Sequence, residues 1–304
     1  MAISSRISTF TFSNRLNSNN LRIQQNANET QLSISSGKKS RNFAGISTDV
    51  QRLLNTESDL ARITTQNIVA QTAQSRINQM FSTMGDMLDL ANDFAQTLSQ
   101  NLSGQFATPF DLEVIARNSE ESMAALLNTN LGGRYLFAGS MIDVPPVDLT
   151  DPLYTAQATP STPNIEYYQG DNMMQNVTVA DGYTLDYGVT ADDIGFEKML
   201  RAMNLAANNS ADTAAISEAL SLINEAVDDI AASRTDISSK ATLIEDRMQV
   251  NSDEMALLQD IISSLEDTDL AEASVLLTQY QTQLEASYAT TARILRLNLH
   301  DYVN

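Results

Sequence analysis

The chain of 304 residues has no cysteine, no tryptophan, one histidine, 6 prolines and 11 glycines. The lack of cysteine excludes disulfides, thiolate zinc sites and cysteine nucleophiles. A single histidine excludes a histidine-rich metal site and argues against a histidine-based catalytic triad. Because glycine and proline are the residues that most often interrupt helices, their scarcity favours long helices.

Long apolar runs are also missing. No stretch of about 18 apolar residues occurs, so the sequence predicts no membrane-spanning helix. The first 19 residues lack the apolar core of a secretory signal peptide, and export would therefore need another route. Lys and Arg total 18 against 38 Asp and Glu, which gives a net charge of -20. Such a chain repels a phosphate backbone, so we expect no nucleic-acid partner.

Basic residues are concentrated in residues 1–62, which contain eight basic and four acidic side chains. One interpretation is a basic arm that binds nucleic acid or a membrane. The other is a solvated helix face that meets acidic helices. We favour the second, because Lys38-Lys39-Ser40-Arg41 is the tightest basic cluster in the segment.

A central block, about 135–195, differs from its flanks. Five of the 6 prolines and six of the 9 tyrosines lie there, and no lysine or arginine occurs between Arg134 and Lys198. Residues 176–179 and 183–187 have strand composition and enclose an Asp-Gly turn. The block is predicted to be a small β-rich insertion.

Both flanks of this block have helical periodicity with a spacing of 3 or 4 residues, which is typical of a coiled coil. The methionines in these rows are interpreted as core packing and not as a ligand pocket. Asn251 is a polar member that would fix helix register. The two rows are Ala73, Ile77, Met80, Met84, Met87, Ala91, Phe94 and Leu98, and Ile244, Met248, Asn251, Met255, Leu258, Ile262 and Leu265.

The two ends of the chain carry narrower, half-polar rows. Breaks at residues 36–40 and 266–269 separate them from the flanks. Helices with so little apolar surface are marginal alone, so we expect the ends to pair with each other and with other molecules. The rows are Leu16, Asn20, Ile23, Ala27, Thr30 and Ile34, and Leu270, Ala273, Leu277, Tyr280, Leu284 and Ser287.

The predicted fold is mainly α: a long antiparallel helical bundle or coiled coil with paired terminal helices and a small central β-rich insertion. The termini are expected at one pole and the insertion at the other. The predicted segments are an N-terminal assembly helix (1–40), the two halves of a helical body (41–134 and 196–265), the outer insertion (135–195) and a C-terminal assembly helix (266–304).

Motifs that carry chemistry are scarce. No phosphate-binding glycine loop, zinc-protease motif or nucleophile elbow occurs. Gly132-Gly133 is interpreted as a helix C-cap, and Asp267, Asp269 and Asp192-Asp193 as helix N-caps in preference to cation ligands. His300 lies close to the chain end with little around it to make it catalytic. We predict no enzyme activity, metal or cofactor, although a carboxylate pair of the glycosidase type in the insertion stays open.

Five stretches resemble motifs of the flagellin superfamily. Residues 31–39 (QLSISSGKK) resemble the "LSSGK" helix end of flagellins and flagellar hook-associated proteins, and residues 267–273 (DTDLAEA) resemble their shared "D-x-D-x-A-E" motif. Residues 132–139 (GGRYLFAG), 168–171 (YQGD) and 278–288 (TQYQTQLEASY) resemble the hook-associated proteins of type three, which join the hook to the filament. By contrast, residues 43–46 (FAGI) are closer to the flagellin "AAGL".

The resemblance implies a structural subunit of the bacterial flagellum, exported unfolded through the flagellar type III apparatus and located outside the cell. Its terminal helices would fold on assembly into an inner tube. Implied partners are the hook-associated protein of type one, flagellin, copies of this chain in a ring and an export chaperone, with no membrane or nucleic acid. A short filament flagellin is the nearest alternative; an enzyme or adhesin in the insertion and a cytoplasmic coiled-coil adaptor are more distant ones.

The terminal rows, taken with this resemblance, predict the residues of the assembly interface. They are Leu16, Ile23, Ile34, Leu270, Leu277, Tyr280, Leu284 and Tyr288.

Overall fold

The computed structural model describes residues 2–40, 49–104 and 109–303. It is 70% helical, which confirms the predicted mainly α class. The flagellin-like residues 43–46 lie outside the described part. The helices found there are α1 Ala2–Ser36, α2 Val50–Leu102, α3 Pro109–Leu127, α4 Ile194–Asn208, α5 Thr213–Glu266 and α6 Leu270–Val303. The strands are β1 Asn130–Leu131, β2 Arg134–Tyr135, β3 Gln175–Ala180 and β4 Tyr183–Tyr187.

The chain divides into two compact units. Unit 1 combines Met1–Ala61 with Met255–Asn304, and unit 2 is Arg62–Glu254. Helices α2 and α5 contribute residues to both units.

Unit 2 has one hydrophobic core. All eight residues of the predicted row from Ala73 to Leu98 are buried, as the spacing of 3 and 4 requires of one helix face. Helices α3 and α4 pack against each other. The rings of Phe137 and Phe196 meet edge to face in this core, with centroids 5.8 Å apart.

Strands β3 and β4 form the predicted antiparallel hairpin around the Asp181-Gly182 turn. The hairpin lies on helices of its own unit: Asp181 Oδ1 forms an ion pair with Arg62 at 2.6 Å and accepts a hydrogen bond from Gln66 at 3.0 Å. Buried Asn251 of α5 donates its Nδ2 to the carbonyl oxygen of Val179, 3.0 Å away. This asparagine therefore contacts the hairpin backbone, a role that the helical spacing alone did not predict.

The interpretation of Gly132-Gly133 as a helix C-cap is wrong. Helix α3 has already ended at Leu127, and the two glycines form the turn between β1 and β2. Their φ angles of 63° and 81° are those of a two-residue hairpin turn, which glycine adopts without strain. Asp193, in contrast, does cap α4, since its side chain accepts a hydrogen bond from the Gly195 amide.

Candidate assembly interface

Helices α1 and α6 of unit 1 pack against each other as an antiparallel pair. Two hydrogen bonds between side chains set their direction. Gln24 Nε2 bonds to the Tyr288 hydroxyl, and the Ser287 hydroxyl bonds to Asn20 Oδ1, while residues near 38 lie beside residues near 267. Early residues of α1 therefore meet late residues of α6, as a pair of long helices joined at one end requires.

Residues of the two predicted terminal rows lie on the buried side of this helix pair. Ile23, Ala27 and Ala273 are buried with Asn20, a polar member satisfied by its bond to Ser287. Among the predicted interface residues, five are half-buried: Leu16, Ile34, Leu277, Tyr280 and Leu284.

Two predicted interface residues are exposed in the chain by itself. Leu270 is 53% exposed because it is the first residue of α6, next to the turn from α5. Tyr288 is held by its hydroxyl bond to Gln24, yet its ring is also exposed. Both side chains are open to contact with other molecules.

The outward side of the pair also carries apolar residues that the sequence reasoning missed. Leu21 on α1 is 61% exposed and Val275 on α6 is 68% exposed, and Phe12 and Leu32 are open as well. Leu21 and Leu32 are eleven residues apart, close to three full turns, so that they share one face of α1. This spacing is the signal that could have found them.

A short antiparallel bridge joins the end of α1 to the turn between α5 and α6. Gly37 ends α1 with a φ of 72°, and its amide donates to the Ser33 carbonyl at 2.8 Å. The Thr268 amide donates to the Gly37 carbonyl at 2.8 Å, and the Lys39 amide donates to the Glu266 carbonyl at 2.6 Å. Two motifs that are more than 220 residues apart in sequence thus bind each other through their backbones.

Two lysines strengthen this junction. Lys38 Nζ forms an ion pair with Glu266 and lies 3.7 Å from Asp267. Its hydrogen bond to Glu266 raises the pKa of the Lys38 ammonium group. Lys39 Nζ donates to carbonyls in the last turn of α5, including that of Leu265 at 3.1 Å. A cation is favourable there, because the helix dipole places partial negative charge at that end.

The two aspartates of the "D-x-D" stretch have different roles. Asp269 Oδ1 accepts from the amides of Ala271 at 2.8 Å and Glu272 at 3.1 Å, which confirms it as the N-cap of α6. Asp267 accepts instead from the Ser263 hydroxyl. The N-cap interpretation of Asp267 is therefore wrong, because its side chain bonds back to the last turn of α5.

The described residues show neither a metal-binding cluster nor a membrane-spanning helix. They contain no group of three or more His, Cys, Asp or Glu side chains placed to hold a metal ion. No helix among them is both long and apolar enough to cross a membrane. The side chain of His300 lies outside the described part.

The C-terminal part of the chain matches a known protein family. The family model of the bacterial flagellin C-terminal helical region matches residues 220–303, which take in most of α5 and nearly all of α6. A search of curated protein sequences found no match.

Three solved structures share the fold, and this chain matches nearly the whole length of each of them. They are a protein from Vibrio parahaemolyticus described as a flagellar hook-associated protein (15% identity, TM-score 0.58, covering 74% of this chain and 99% of that one), FlgL from Bacillus cereus (18%, 0.53, 70% and 99%) and flagellar hook-associated protein-3 from Legionella pneumophila (12%, 0.54, 69% and 98%). The resemblance predicted from the motifs is confirmed.

Proposed function

We propose that this chain is a structural subunit of the bacterial flagellum that joins the hook to the filament. The observation that carries the proposal is the junction in unit 1, where the "LSSGK"-like and "D-x-D"-like stretches bind each other and hold α1 beside α6. The flagellin C-terminal match over residues 220–303 supports the superfamily, and the fold shared with hook-associated proteins supports the junction role.

The mechanism that we propose is folding on assembly. The chain leaves the cell unfolded through the flagellar type III apparatus, and α1 and α6 become ordered when they pack among neighbouring subunits. The contacts are made by Leu16, Ile23, Ile34, Leu270, Leu277, Tyr280, Leu284 and Tyr288. The outward residues Leu21 and Val275 add apolar surface that neighbours would cover.

The partners follow from this position in the flagellum. They are the hook-associated protein of type one on one side, flagellin on the other, further copies of this chain in a ring, and an export chaperone before secretion. The completed assembly is extracellular.

Deletion of the gene tests the proposal. Cells without the chain should carry bare hooks in electron micrographs and release filament protein into the medium, because filament subunits then have no junction on which to polymerise. Bare hooks without released flagellin would identify the chain as the filament subunit itself, the alternative that residues 43–46 favour. Intact filaments would contradict both assignments.

A further inference from the structure

Arg234 of α5 is held in a fixed orientation on α2, within unit 2. Its guanidinium carbon lies 3.8 Å from the centre of the Phe81 ring, a stacking contact between a cation and an aromatic face. Its Nε donates to the carbonyl oxygen of Phe81 at 3.2 Å. The ring and the backbone therefore fix the guanidinium plane, and the two terminal nitrogens keep their N–H groups for another acceptor.

Gly85 provides the space for this guanidinium. A Cβ atom at that position would lie 3.3 Å from one terminal nitrogen of Arg234 and 3.7 Å from the guanidinium carbon. Glycine inside a helix is destabilising relative to alanine, and Gly85 lies well within the 53 residues of α2. Its presence is explained if the close approach of Arg234 matters more than the helix propensity that is lost.

The guanidinium borders a groove of about 530 Å³ whose other polar groups are hydroxyls. Thr235, Ser238, Ser239 and Thr242 line it beside the apolar Phe81 and Leu88. The hydroxyls of Thr235 and Thr242 already donate to carbonyls of their own helix. A planar guanidinium with free N–H groups is suited to bind a carboxylate through two parallel hydrogen bonds.

No carboxylate from the described part of the chain lies within 4 Å of Arg234. Arg76, Arg134 and Arg247 of the same unit likewise form no ion pair with the described residues, so what distinguishes Arg234 is that the Phe81 ring and carbonyl hold its guanidinium in place. In the same unit, Lys198 pairs with Asp229, Lys240 with Asp236, and Arg201 with Glu197. A rigid cation that lacks such a partner points to an acid supplied by another molecule.

We propose that Arg234 binds a carboxylate of a second copy of this chain, supplied by an acidic row on α2 of that copy. The acidic residues of the row are Asp86, Asp89 and Asp93, and Ser82 precedes them by one turn. The spacing of 4, 3 and 4 places all four on one side of the helix. All four are exposed, and no ion pair to these aspartates occurs in the described residues.

The position of the row on α2 suits a contact between neighbours in a ring. At about 100° per residue, Asp89, Asp93 and Asp86 lie roughly 40°, 80° and 100° around the helix from Gly85, which borders the groove side. One copy can therefore offer the row to one neighbour while its own Arg234 groove accepts the row of another. Contacts between two different surfaces are those that close rings. The inference rests on the proposed function, which places copies of this chain side by side in a ring.

Disulfide trapping tests the contact, since the chain has no cysteine of its own. Cells that lack the natural gene would express two tagged copies of the full chain, one with Ser239→Cys in the groove and one with Ser82→Cys in the acidic row. Mild oxidation of whole cells should give a mixed dimer that neither copy forms alone. Adding Arg234→Gln to the groove copy should reduce the mixed dimer at least fivefold. Adding Asp86→Asn, Asp89→Asn and Asp93→Asn to the row copy should have the same effect.

Arg134→Gln is the matched control, because Arg134 is an exposed arginine in the same unit, and it should leave the dimer yield unchanged. A mixed dimer that is missing, or that does not depend on Arg234, would overturn the inference; filaments that remain attached in those cells would leave the proposed function standing. Circular dichroism of each purified variant identifies any loss that comes from misfolding. If Arg234→Gln proves misfolded, Arg234→Lys takes its place, because lysine keeps the charge but lacks the paired N–H groups of the guanidinium. An undiminished dimer with Arg234→Lys would equally contradict the inference.

Discussion

At the scale of single residues, buried polar side chains in unit 2 tie the insertion to the helices. Glu120 of α3 is 7% exposed, and its Oε1 accepts from Asn204 Nδ2 and from the Tyr154 hydroxyl, each at 2.9 Å. Burial raises the pKa of the Glu120 carboxyl, and the two hydrogen bonds only partly oppose that rise.

We predict that Glu120→Gln makes the stability of the chain less dependent on pH. Because the pKa of Glu120 is higher in the folded state, the folded chain binds more protons between the ordinary glutamate value and the raised one. This contribution is fully present below the ordinary value of 4.5 and is lost as the pH rises through the raised pKa. The glutamine oxygen can still accept both hydrogen bonds and carries no charge to bury.

Thermal melts at pH 5 and pH 7 check this prediction. The melting temperatures of the variant should differ less between the two pH values than those of the parent, with the gain at pH 7. Glu245→Gln, at an exposed position of α5, serves as the control and should reproduce the parent profile. A variant that is less stable than the parent at pH 7 would contradict the assignment of a net burial cost to Glu120.

A second residue-scale prediction concerns Asn251, which is 4% exposed. Asn251→Leu removes the donor to the Val179 carbonyl and leaves that buried oxygen without its partner. We expect a loss of about 1–3 kcal/mol in the free energy of unfolding, the usual cost of an unsatisfied buried polar group. Urea titration measures it, with the exposed Val250→Ala as control. An unchanged midpoint would mean that the side chain does not hold the hairpin.

At the scale of elements, the periodic rows predicted the helices well. The glycine and aspartate motifs predicted the chain reversals only in part. The row from Ala73 to Leu98 is fully buried because its helical spacing places all eight apolar residues on one face of α2, and that face packs into the core. The Gly132-Gly133 turn was misread because a glycine pair fits a helix end and a hairpin equally well. Between residues 136 and 174 no helix or ladder strand occurs, and the strands predicted at 176–179 and 183–187 are found as β3 and β4.

We predict that Leu277→Asp and Leu284→Asp abolish assembly while the rest of the chain stays folded. Both side chains are half-buried on α6, the helix that pairs with α1. A carboxylate there would be desolvated by a neighbouring subunit without a partner, which is costly. Cells that carry either variant should shed flagellin into the medium, whereas the purified variants should keep the circular dichroism spectrum of the parent.

Gln283→Asp is the matched control, because position 283 is exposed on the same helix and the change also adds one charge. It should support filaments. If Leu277→Asp or Leu284→Asp gave filaments of normal length, the assignment of these residues to the assembly interface would be wrong.

At the scale of the whole molecule, the two units differ in how much apolar surface they bury. The hydrophobic core cluster of the described chain runs from Ala70 to Ile244, all within unit 2. Unit 1 depends on a narrow row of buried residues between two long helices, with polar Asn20 among them. Helices of this kind gain most of their stability from packing, and unit 1 offers little of it.

We therefore predict that residues 62–254 fold alone and melt within a few degrees of the full chain. If α1 and α6 become ordered only on assembly, a second fragment of residues 49–266, which keeps α2 and α5 whole, should have nearly the same helical circular dichroism signal per molecule as the full chain. The comparison needs only the purified full chain, the two fragments and a thermal melt. A full-length monomer as helical as the 70% of the structure would contradict folding on assembly.

The sequence by itself determined the helices, their covered faces and the place of the insertion, because periodicity and the placement of glycine and proline act over a few residues. Tertiary structure decided what depends on distant groups. It brought Lys38 to Glu266, Asn251 to Val179 and Arg234 to Phe81. Each of these contacts joins residues at least 72 positions apart in the chain. Local patterns carry no information about such partners, since only the packing of the helices fixes which side chains meet.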